Sequence, residues 1–388
     1  MDVMMVGLGV SIGTVNTVRA VAYGGGKHGP GHRGRRGHCP PETWRTTLTF
    51  DSTGTARVGR IPKHGRAITD FADLTQRSAP TARVGHRALS AADLVATVAA
   101  TVLTDVRELT DVREPESGVT VTHPAGYPPQ RVDDLREALD AAGLEQAVLA
   151  AEPVAAAAWL EDACGPMMPG LALVYDLGGS GLRVTLVRVG AGCPTDPVVG
   201  ESLRSSDFGG RAFGAQMARR SGWRSGDGSN AASDAVITEL RTKHVRKSLG
   251  MVYKCLRVAD VTMADVDCVL VIGGAARPPE VVDVLAAALA RPIIVAPDPE
   301  HTVAEGAAIL ARRSVEGETG TTGHRRGWWR GGPARLGRVG AGRLFGRRAV
   351  RVTATAAIAA TAALCATTAV AGDATIPAAD ACVAHPCR

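Results

Sequence analysis

Two glycine-rich segments have the residue types and spacing that phosphate binding requires. GVSIGTVNT (residues 9–17) and YDLGGSG (residues 175–181) each stand between two apolar runs. Glycine lets backbone N–H groups approach phosphate oxygens, because no Cβ intervenes. One such turn is weak evidence, whereas several elements in a fixed order are much stronger.

The apolar runs around both turns predict β-hairpins. Residues 3–23 and 171–189 each place an apolar run, a glycine-rich turn and a second apolar run in succession. The two segments begin about 165 residues apart, which suggests an internal duplication of lobes.

Strands and helices alternate in the rest of the chain. Residues 128–143 predict a helix that ends at Gly143, and residues 144–164 predict a short strand followed by a helix. Residues 266–289 and 292–312 each predict a strand, a turn and a helix. This alternation predicts an α/β protein with central sheets covered on both faces.

Composition and charge exclude several classes of function. The 388 residues are 45% hydrophobic, which is a globular composition. The formal net charge is +6, but residues 312–351 alone contain eleven Arg, no Lys and two Glu. The remainder is slightly acidic, so we expect no nucleic-acid partner.

Cysteine spacing argues against a zinc site or a disulfide framework in the body of the protein. The first six cysteines show no CxxC and no regular spacing, which predicts a reduced, cytosolic body. Cys382 and Cys387 lie close together near the end of the sequence and could pair if that tail is exported.

Residues 352–372 form an uncharged run of 21 residues, long enough to cross a bilayer as a helix. Ten of these residues are Ala and five are Thr, so an Ala-rich surface segment or a disordered segment is the alternative. Arg343, Arg347, Arg348 and Arg351 precede the run, which predicts a cytoplasmic body by the positive-inside rule. We therefore predict a single-pass protein of a bacterial inner membrane, with an exported tail at residues 373–388.

The order of the motifs resembles that of the DnaK-type heat-shock chaperone family. The two turns are similar to its phosphate turns, residues 119–159 to its strand, helix and "NEPTAAA" connection, and residues 269–308 to its adenosine turn and closing helix. The resemblance implies the two-lobed, actin-like ATPase (ribonuclease H-like) fold, with ATP or ADP and Mg²⁺ bound between the hairpins. It also implies lobe I over residues 1–165, lobe II over 166–312 and an Arg- and Gly-rich linker over 313–351.

The resemblance assigns roles to residues at matching positions. Asp176 and Glu152 match catalytic acids, and Asp176 is expected to hold the metal through water. The residues expected to contact nucleotide are Gly13, Thr14 and Asn16 in the first turn, Gly178 and Gly179 in the second, Gly209 and Gly210 in DFGGRAF, Arg246 and Lys247 in LRTKHVRKSLG, and Gly273, Gly274 and Arg277 in the adenosine turn.

The departures from the family pattern concern catalysis. Ser11 and Arg183 each replace an Asp, Gly181 replaces a Thr, and Arg77 is the nearest counterpart of the catalytic Lys. Phosphoryl transfer depends on positioning and on metal-borne charge, so these losses predict a rate lower by several orders of magnitude. Arg183 itself could pair with a phosphate or form a solvent-facing ion pair.

Two regions that are shorter than in the family also argue for a loss of family function. About twenty residues separate Lys247 from the strand at Val269, where the family has a small subdomain over the adenine. After residue 312 the chain turns into the Arg-rich linker, so we expect no peptide-binding domain.

The leading hypothesis is a membrane-anchored, chaperone-like ATP-binding protein with a degraded hydrolysis centre, which signals to an unknown protein partner. The alternatives are an active but slow ATPase or chaperone of the same family, and a scaffold that no longer binds nucleotide. A sugar kinase is a remote alternative, because no catalytic Asp in a sugar pocket is evident. His123 is interpreted as a loop histidine without a catalytic role.

Overall fold

A computed structural model describes residues 5–24, 39–61, 67–76, 81–84, 87–109, 117–220 and 230–319, all within one compact unit. Arg77, the predicted membrane helix at residues 352–372 and the tail with Cys382 and Cys387 lie outside these residues. None of the described helices is long and apolar enough to cross a bilayer.

The described elements alternate as the sequence predicts. The strands are β1 (Val6–Ile12), β2 (Asn16–Tyr23), β3 (Glu42–Arg45), β4 (Leu48–Phe50), β5 (Ala56–Val58), β6 (Ala82–Val84), β7 (Arg87–Leu89), β8 (Ser117–His123), β9 (Val148–Ala151), β10 (Gly170–Leu177), β11 (Leu182–Val189), β12 (Val198–Ser205), β13 (Cys268–Ile272) and β14 (Ile293–Val295). The helices are α1 (Ala91–Leu109), α2 (Pro129–Ala141), α3 (Glu152–Cys164), α4 (Gly210–Arg220), α5 (Asn230–Val258), α6 (Pro279–Leu289) and α7 (Thr302–Thr319).

Two five-stranded sheets share one topology. The first has the order β3-β2-β1-β8-β9 and the second has the order β12-β11-β10-β13-β14. In each, an antiparallel hairpin (β1 with β2, β10 with β11) is extended by two parallel strands. This repeated order is the duplication that the two similar hairpins predicted.

Both sheets are covered on both faces, as predicted. In the first sheet, Leu8 and Val10 pack with α1 and α2, whereas Ala20 on β2 packs with α7. In the second sheet, Tyr175 packs with α5 and α6, whereas Val174 packs with α3. The mainly aliphatic cores agree with the low aromatic content of 4%.

Element boundaries follow the local residue types, with one difference from the prediction. Helix α2 ends just before Gly143, whose φ of +80° is the left-handed conformation that glycine tolerates at a helix end. Helix α3 has Pro153 in its first turn, where a missing N–H removes no helical hydrogen bond. Helix α7, however, continues to Thr319, past the predicted end at residue 312.

Helices α3 and α7 cross where only small residues fit. A Cβ on Gly306 of α7 would overlap the Ala155 carbonyl oxygen of α3. On the other side of α7, a Cβ on Gly7 or Gly9 of β1 would overlap backbone carbonyl oxygens of that helix. Helix α3 follows the first sheet yet packs on the second, while α7 follows the second sheet and packs on the first. The crossing therefore joins the two lobes.

We expect Gly306→Ala to lower the free energy of unfolding by about 2–3 kcal/mol, because the helices must separate to admit one methyl group. Gly250→Ala is the matched control, since Gly250 lies in α5 with nothing within 4 Å of the added Cβ. That change should stabilise the protein by about 0.5–1 kcal/mol through helix propensity. Denaturant unfolding of the full chain measures both, and equal effects would contradict the packing argument.

Candidate functional site

The first glycine-rich turn joins β1 to β2 and is held by the strand region that follows β3. The Gly13 N–H donates to the Asn16 carbonyl oxygen at 2.9 Å, and the Thr46 hydroxyl donates to the Gly13 carbonyl oxygen at 2.7 Å. The Thr46 N–H donates to the Val15 carbonyl oxygen at 2.8 Å. Two predicted nucleotide contacts, Gly13 and Asn16, therefore lie in one fixed turn.

The second turn joins β10 to β11 and is held by the start of α4. The Gly178 N–H donates to the Gly181 carbonyl oxygen at 2.9 Å, and the Gly210 N–H donates to the Gly178 carbonyl oxygen at 3.0 Å. Gly209 has a φ of +102°, and a Cβ there would lie 2.7 Å from the Gly178 carbonyl oxygen. The structure thus brings the predicted pairs Gly178–Gly179 and Gly209–Gly210 together.

Gly181 has a packing reason to lack a side chain. A Cβ at this position would lie 2.6 Å from the Ser205 carbonyl oxygen of β12. Threonine, the residue of the family pattern, therefore does not fit here without movement of β12. The close approach of β12 therefore requires glycine at this position, which the sequence alone does not reveal.

The two turns face each other across the lobes. A Cβ on Gly179 of the second turn would overlap the Val15 side chain of the first turn. The Arg211 side chain, from the start of α4, reaches the Thr14 carbonyl oxygen at 3.5 Å. Thr14 thus lies at the meeting point of the turns, as its predicted role requires.

The adenosine-type turn packs against the second phosphate-type turn. Gly273 has a φ of +93°, and a Cβ there would lie 2.6 Å from Asp176 Oδ1. Arg277 is held at the surface by acids, because its Nε donates to Glu300 Oε2 at 2.7 Å and its Nη2 lies 3.3 Å from Asp298 Oδ1. Gly274 begins the short 3-10 helix that links Gly273 to Arg277.

Arg246 and Lys247 lie on the exposed face of α5, and neither makes a hydrogen bond or ion pair with the described residues. Arg246 lines a shallow groove between α5 and α6, together with Thr242 and Glu280. After Lys247 the chain completes α5 and reaches β13 through one short 3-10 helix at Met263–Asp265. The shortening of this region relative to the family stays a prediction.

Three charged side chains meet below the turns. Asp176 is the last residue but one of β10 and pairs directly with Arg183 of β11, while Glu152 begins α3. The Arg183 Nη1 atom lies 3.3 Å from Asp176 Oδ2 and 3.3 Å from Glu152 Oε2. The Arg183 side chain is only 21% exposed, so this ion pair is enclosed and does not face solvent.

Burial and charge act in opposite directions on these groups. Burial raises the pKa of Asp176 to about 6, although the neighbouring Arg183 guanidinium favours the ionised carboxylate. Burial alone would lower the pKa of Arg183, but Glu152 and Asp176 raise it above its usual value. Arg183 therefore stays charged, and its charge is shared by two carboxylates.

His123 ends β8 beside this group. Its Nδ1 lies 3.0 Å from the Pro124 carbonyl oxygen, and its ring stacks on Tyr127 with centroids 6.2 Å apart. Burial lowers the pKa of His123, which opposes the influence of the Glu152 charge. His123 therefore has a packing contact with Tyr127, and its interpretation as a loop histidine stays a prediction.

Ion pairs between the lobes were not predicted from the sequence. Arg204 of β12 binds Asp73 in the loop before β6 at 2.6 Å, and Arg211 binds Asp70 at 2.7 Å. The Asp73 side chain is 1% exposed and also accepts hydrogen bonds from Thr75. These two ion pairs join lobe II to lobe I, and we call the region where they lie the rim.

Comparison with known proteins gives matches to one family. The family model described as Hsp70 protein matches residues 226–318. A Chaperone protein HscA homolog of Burkholderia mallei (strain SAVP1) is 43% identical over 67 residues, which cover 17% of this chain and 11% of that protein. One from Burkholderia cenocepacia (strain HI2424) is 28% identical over 234 residues, which cover 50% of this chain and 37% of that protein. The chain thus matches a minor part of each relative's length.

Two lobes of one topology, with glycine turns facing each other between them, are consistent with an actin-like ATPase fold. The matches show that the matched part of the chain is similar to the Hsp70 family and to HscA-type chaperones.

The family implies Mg²⁺ beside the phosphates, but the residues present do not fit it. Mg²⁺ needs an octahedral shell of oxygens, including waters. Between Asp176 and Glu152, the place of a cation is already taken by the Arg183 guanidinium. Ser11 supplies no carboxylate, and within the described residues no group of three His, Cys, Asp or Glu could hold a metal. The predicted metal role of Asp176 has no support in this arrangement.

We expect Arg204→Ala to lower the free energy of unfolding by about 2 kcal/mol at neutral pH, because it leaves the buried Asp73 carboxylate without its cation. Arg204 is itself 34% exposed, so the loss stays below that of a fully buried pair. Arg188→Ala is the control, since Arg188 is exposed on the adjacent strand β11 and should change stability by less than about 0.5 kcal/mol.

The pH dependence of this loss follows from Asp73. Burial opposes its ionisation, but Arg204 and Thr75 outweigh burial and lower its pKa. Its contribution is therefore complete above the unfolded pKa of about 4 and is lost as the pH falls through the lower folded value. Chemical unfolding across this range should show the difference between wild type and Arg204→Ala shrinking below about pH 4; a constant difference would contradict the pairing.

Proposed function

We propose that this protein binds ATP or ADP between its lobes and hydrolyses ATP very slowly or not at all. The observation that carries the proposal is the Arg183 guanidinium, which lies against both Asp176 and Glu152. These are the two acids that the family resemblance assigns to catalysis.

Binding is supported by the backbone of the site. The turns at Gly13 and Gly178–Gly179 keep their glycines, their hydrogen-bonded geometry and their position facing each other. Backbone donors in such turns need no particular side chains to attract phosphate oxygens. Since Val15 now touches Gly179, a bound phosphate would have to move the turns apart.

Weak hydrolysis is supported by the side chains. A carboxylate that orients an attacking water must be free to accept a hydrogen bond from it. Glu152 Oε2 is buried and makes no hydrogen bond with the described residues, yet its charge is held by Arg183 3.3 Å away. An acid paired in this way is a poor partner for water, and Ser11 adds no second acid across the cleft.

A regulatory role is supported by the contacts at the rim. The pairs Arg204–Asp73 and Arg211–Asp70 join the lobes without help from a ligand. Nucleotide entry would separate the turns and stretch these ion pairs, so the ligand would change the position of one lobe relative to the other. We propose that a protein partner reads this change, whereas the chaperone names of the relatives describe those proteins.

Membrane attachment is also a proposal, and it depends on the sequence alone. Residues 352–372 are uncharged, and four arginines lie within the nine residues before them. A helix there would anchor the body at the cytoplasmic face of the inner membrane.

The test of nucleotide binding is calorimetry of the purified full chain with ADP, combined with a measurement of ATP turnover. We expect binding together with turnover close to the background rate. Asp176→Asn separates the alternatives: turnover that this change abolishes would identify an active enzyme and contradict the proposal. The absence of any affinity for ADP or ATP would leave only a scaffold.

The test of topology is labelling of Cys382 with a membrane-impermeant maleimide in intact cells, in a Cys387→Ser variant so that the two tail cysteines cannot pair. An exported tail predicts labelling without permeabilisation, and the Cys382→Ser, Cys387→Ser double variant controls for other cysteines. Labelling that requires permeabilisation of the inner membrane would contradict the proposed orientation.

A further inference from the structure

We infer that Arg183 is the resident cation of this site, so that the protein takes the nucleoside diphosphate itself and does not require its magnesium complex. This inference depends on the proposed nucleotide binding and extends it to the form of the ligand. Neither the family relationship nor the relatives' names imply it.

The position of Arg183 is fixed by the hairpin. Asp176 and Arg183 are directly paired in the register of β10 and β11, with Leu177, Leu182 and the glycine turn between them. This register fixes the Cα atom of Arg183 opposite Asp176, and the side chain extends from there to both carboxylates. A cation so placed is present before any ligand arrives.

The charges around Arg183 argue against an additional divalent cation. Asp176 and Glu152 supply two negative charges, Arg183 supplies one positive charge, and Ser11 supplies none. A Mg²⁺ ion close to these acids would have to approach a guanidinium at short range in an enclosed setting, where charges of like sign repel strongly. The acids that would attract the metal are already half neutralised.

Arg183 retains donors for a phosphate. Its contacts of 3.3 Å with the two acids are made by Nη1, while Nη2 and Nε make no hydrogen bond with the described residues. A guanidinium presents its donors in a planar fork that matches phosphate oxygens. Asp176, to which Arg183 is bound, lies next to the turn, because its Oδ1 is 3.9 Å from the position of a Cβ on Gly178.

The experiment is titration of the full chain with ADP by calorimetry, once with EDTA and once with excess Mg²⁺. For the wild type we expect dissociation constants that differ by less than about threefold. Arg183→Gln should weaken ADP binding by about tenfold or more under both conditions, since a charged hydrogen bond to phosphate is lost. Arg183→Asp should bind ADP poorly in EDTA and recover by about tenfold or more when Mg²⁺ is added.

Controls separate a binding effect from misfolding. Arg188→Gln changes an exposed arginine on the same strand and should leave both constants unchanged. Adenosine lacks phosphates, so its affinity should be the same for the wild type and for Arg183→Gln. Loss of adenosine binding by Arg183→Gln would indicate a folding defect. In that case Arg183→Lys, which keeps the positive charge without the planar fork of donors, would decide the question. Unchanged ADP affinity of Arg183→Lys in EDTA supports a resident cation, and loss of that affinity overturns the inference.

The outcomes distinguish this inference from the proposed function. Wild-type ADP binding that tightens by tenfold or more with Mg²⁺ would overturn the resident cation while leaving nucleotide binding intact. Absence of ADP binding under both conditions would overturn the proposed function, and the inference with it.

Discussion

The two lobes depend on a close crossing of helices α3 and α7. Gly306 of α7 lies against the Ala155 carbonyl, and Gly7 and Gly9 bring β1 onto the opposite side of the same helix. Each helix packs on the sheet of the other lobe, so neither lobe completes its core alone. Interiors at crystal-like density cannot absorb even one added methyl group without cost. The crossing of α3 and α7, which we call the floor of the cleft, is therefore rigid. We expect any movement between the lobes to occur at the rim, where the ion pairs Arg204–Asp73 and Arg211–Asp70 lie.

The rim and the floor are held by different forces. Apolar contact between small side chains holds the floor, while the ion pairs Arg204–Asp73 and Arg211–Asp70 hold the rim. Ion pairs with an exposed partner are weaker and depend on salt and pH. Between these two levels lie the glycine turns, with Val15 against Gly179. A ligand that separates the turns would break the weaker ion pairs of the rim before it separated the packed helices. The rim would therefore respond to the ligand.

Much of the fold followed from sequence, because glycine turns between apolar runs and helices with recognisable ends leave few alternatives. The duplication of lobes, seen in the shared topology of the sheets, was predicted in this way. The pairing of Asp176 with Arg183 could also have been predicted, since a hairpin closed by GGSG sets these residues opposite each other. The contacts Arg204–Asp73 and Arg183–Glu152 could not, because they join segments far apart in sequence whose approach only the folded chain defines.

Binding and turnover have different physical requirements, and the proposed function separates them. Backbone donors in the turns survive most substitutions, because they depend on glycine and on hydrogen bonds between main-chain atoms. Catalysis depends on side chains that must be free to orient water and metal. In the proposed function, Arg183 acts on both at once: it supplies positive charge near the phosphates and it occupies the acids that hydrolysis would use. Retained binding and weak turnover would then be two results of a single side chain, and neither would require independent decay of the site.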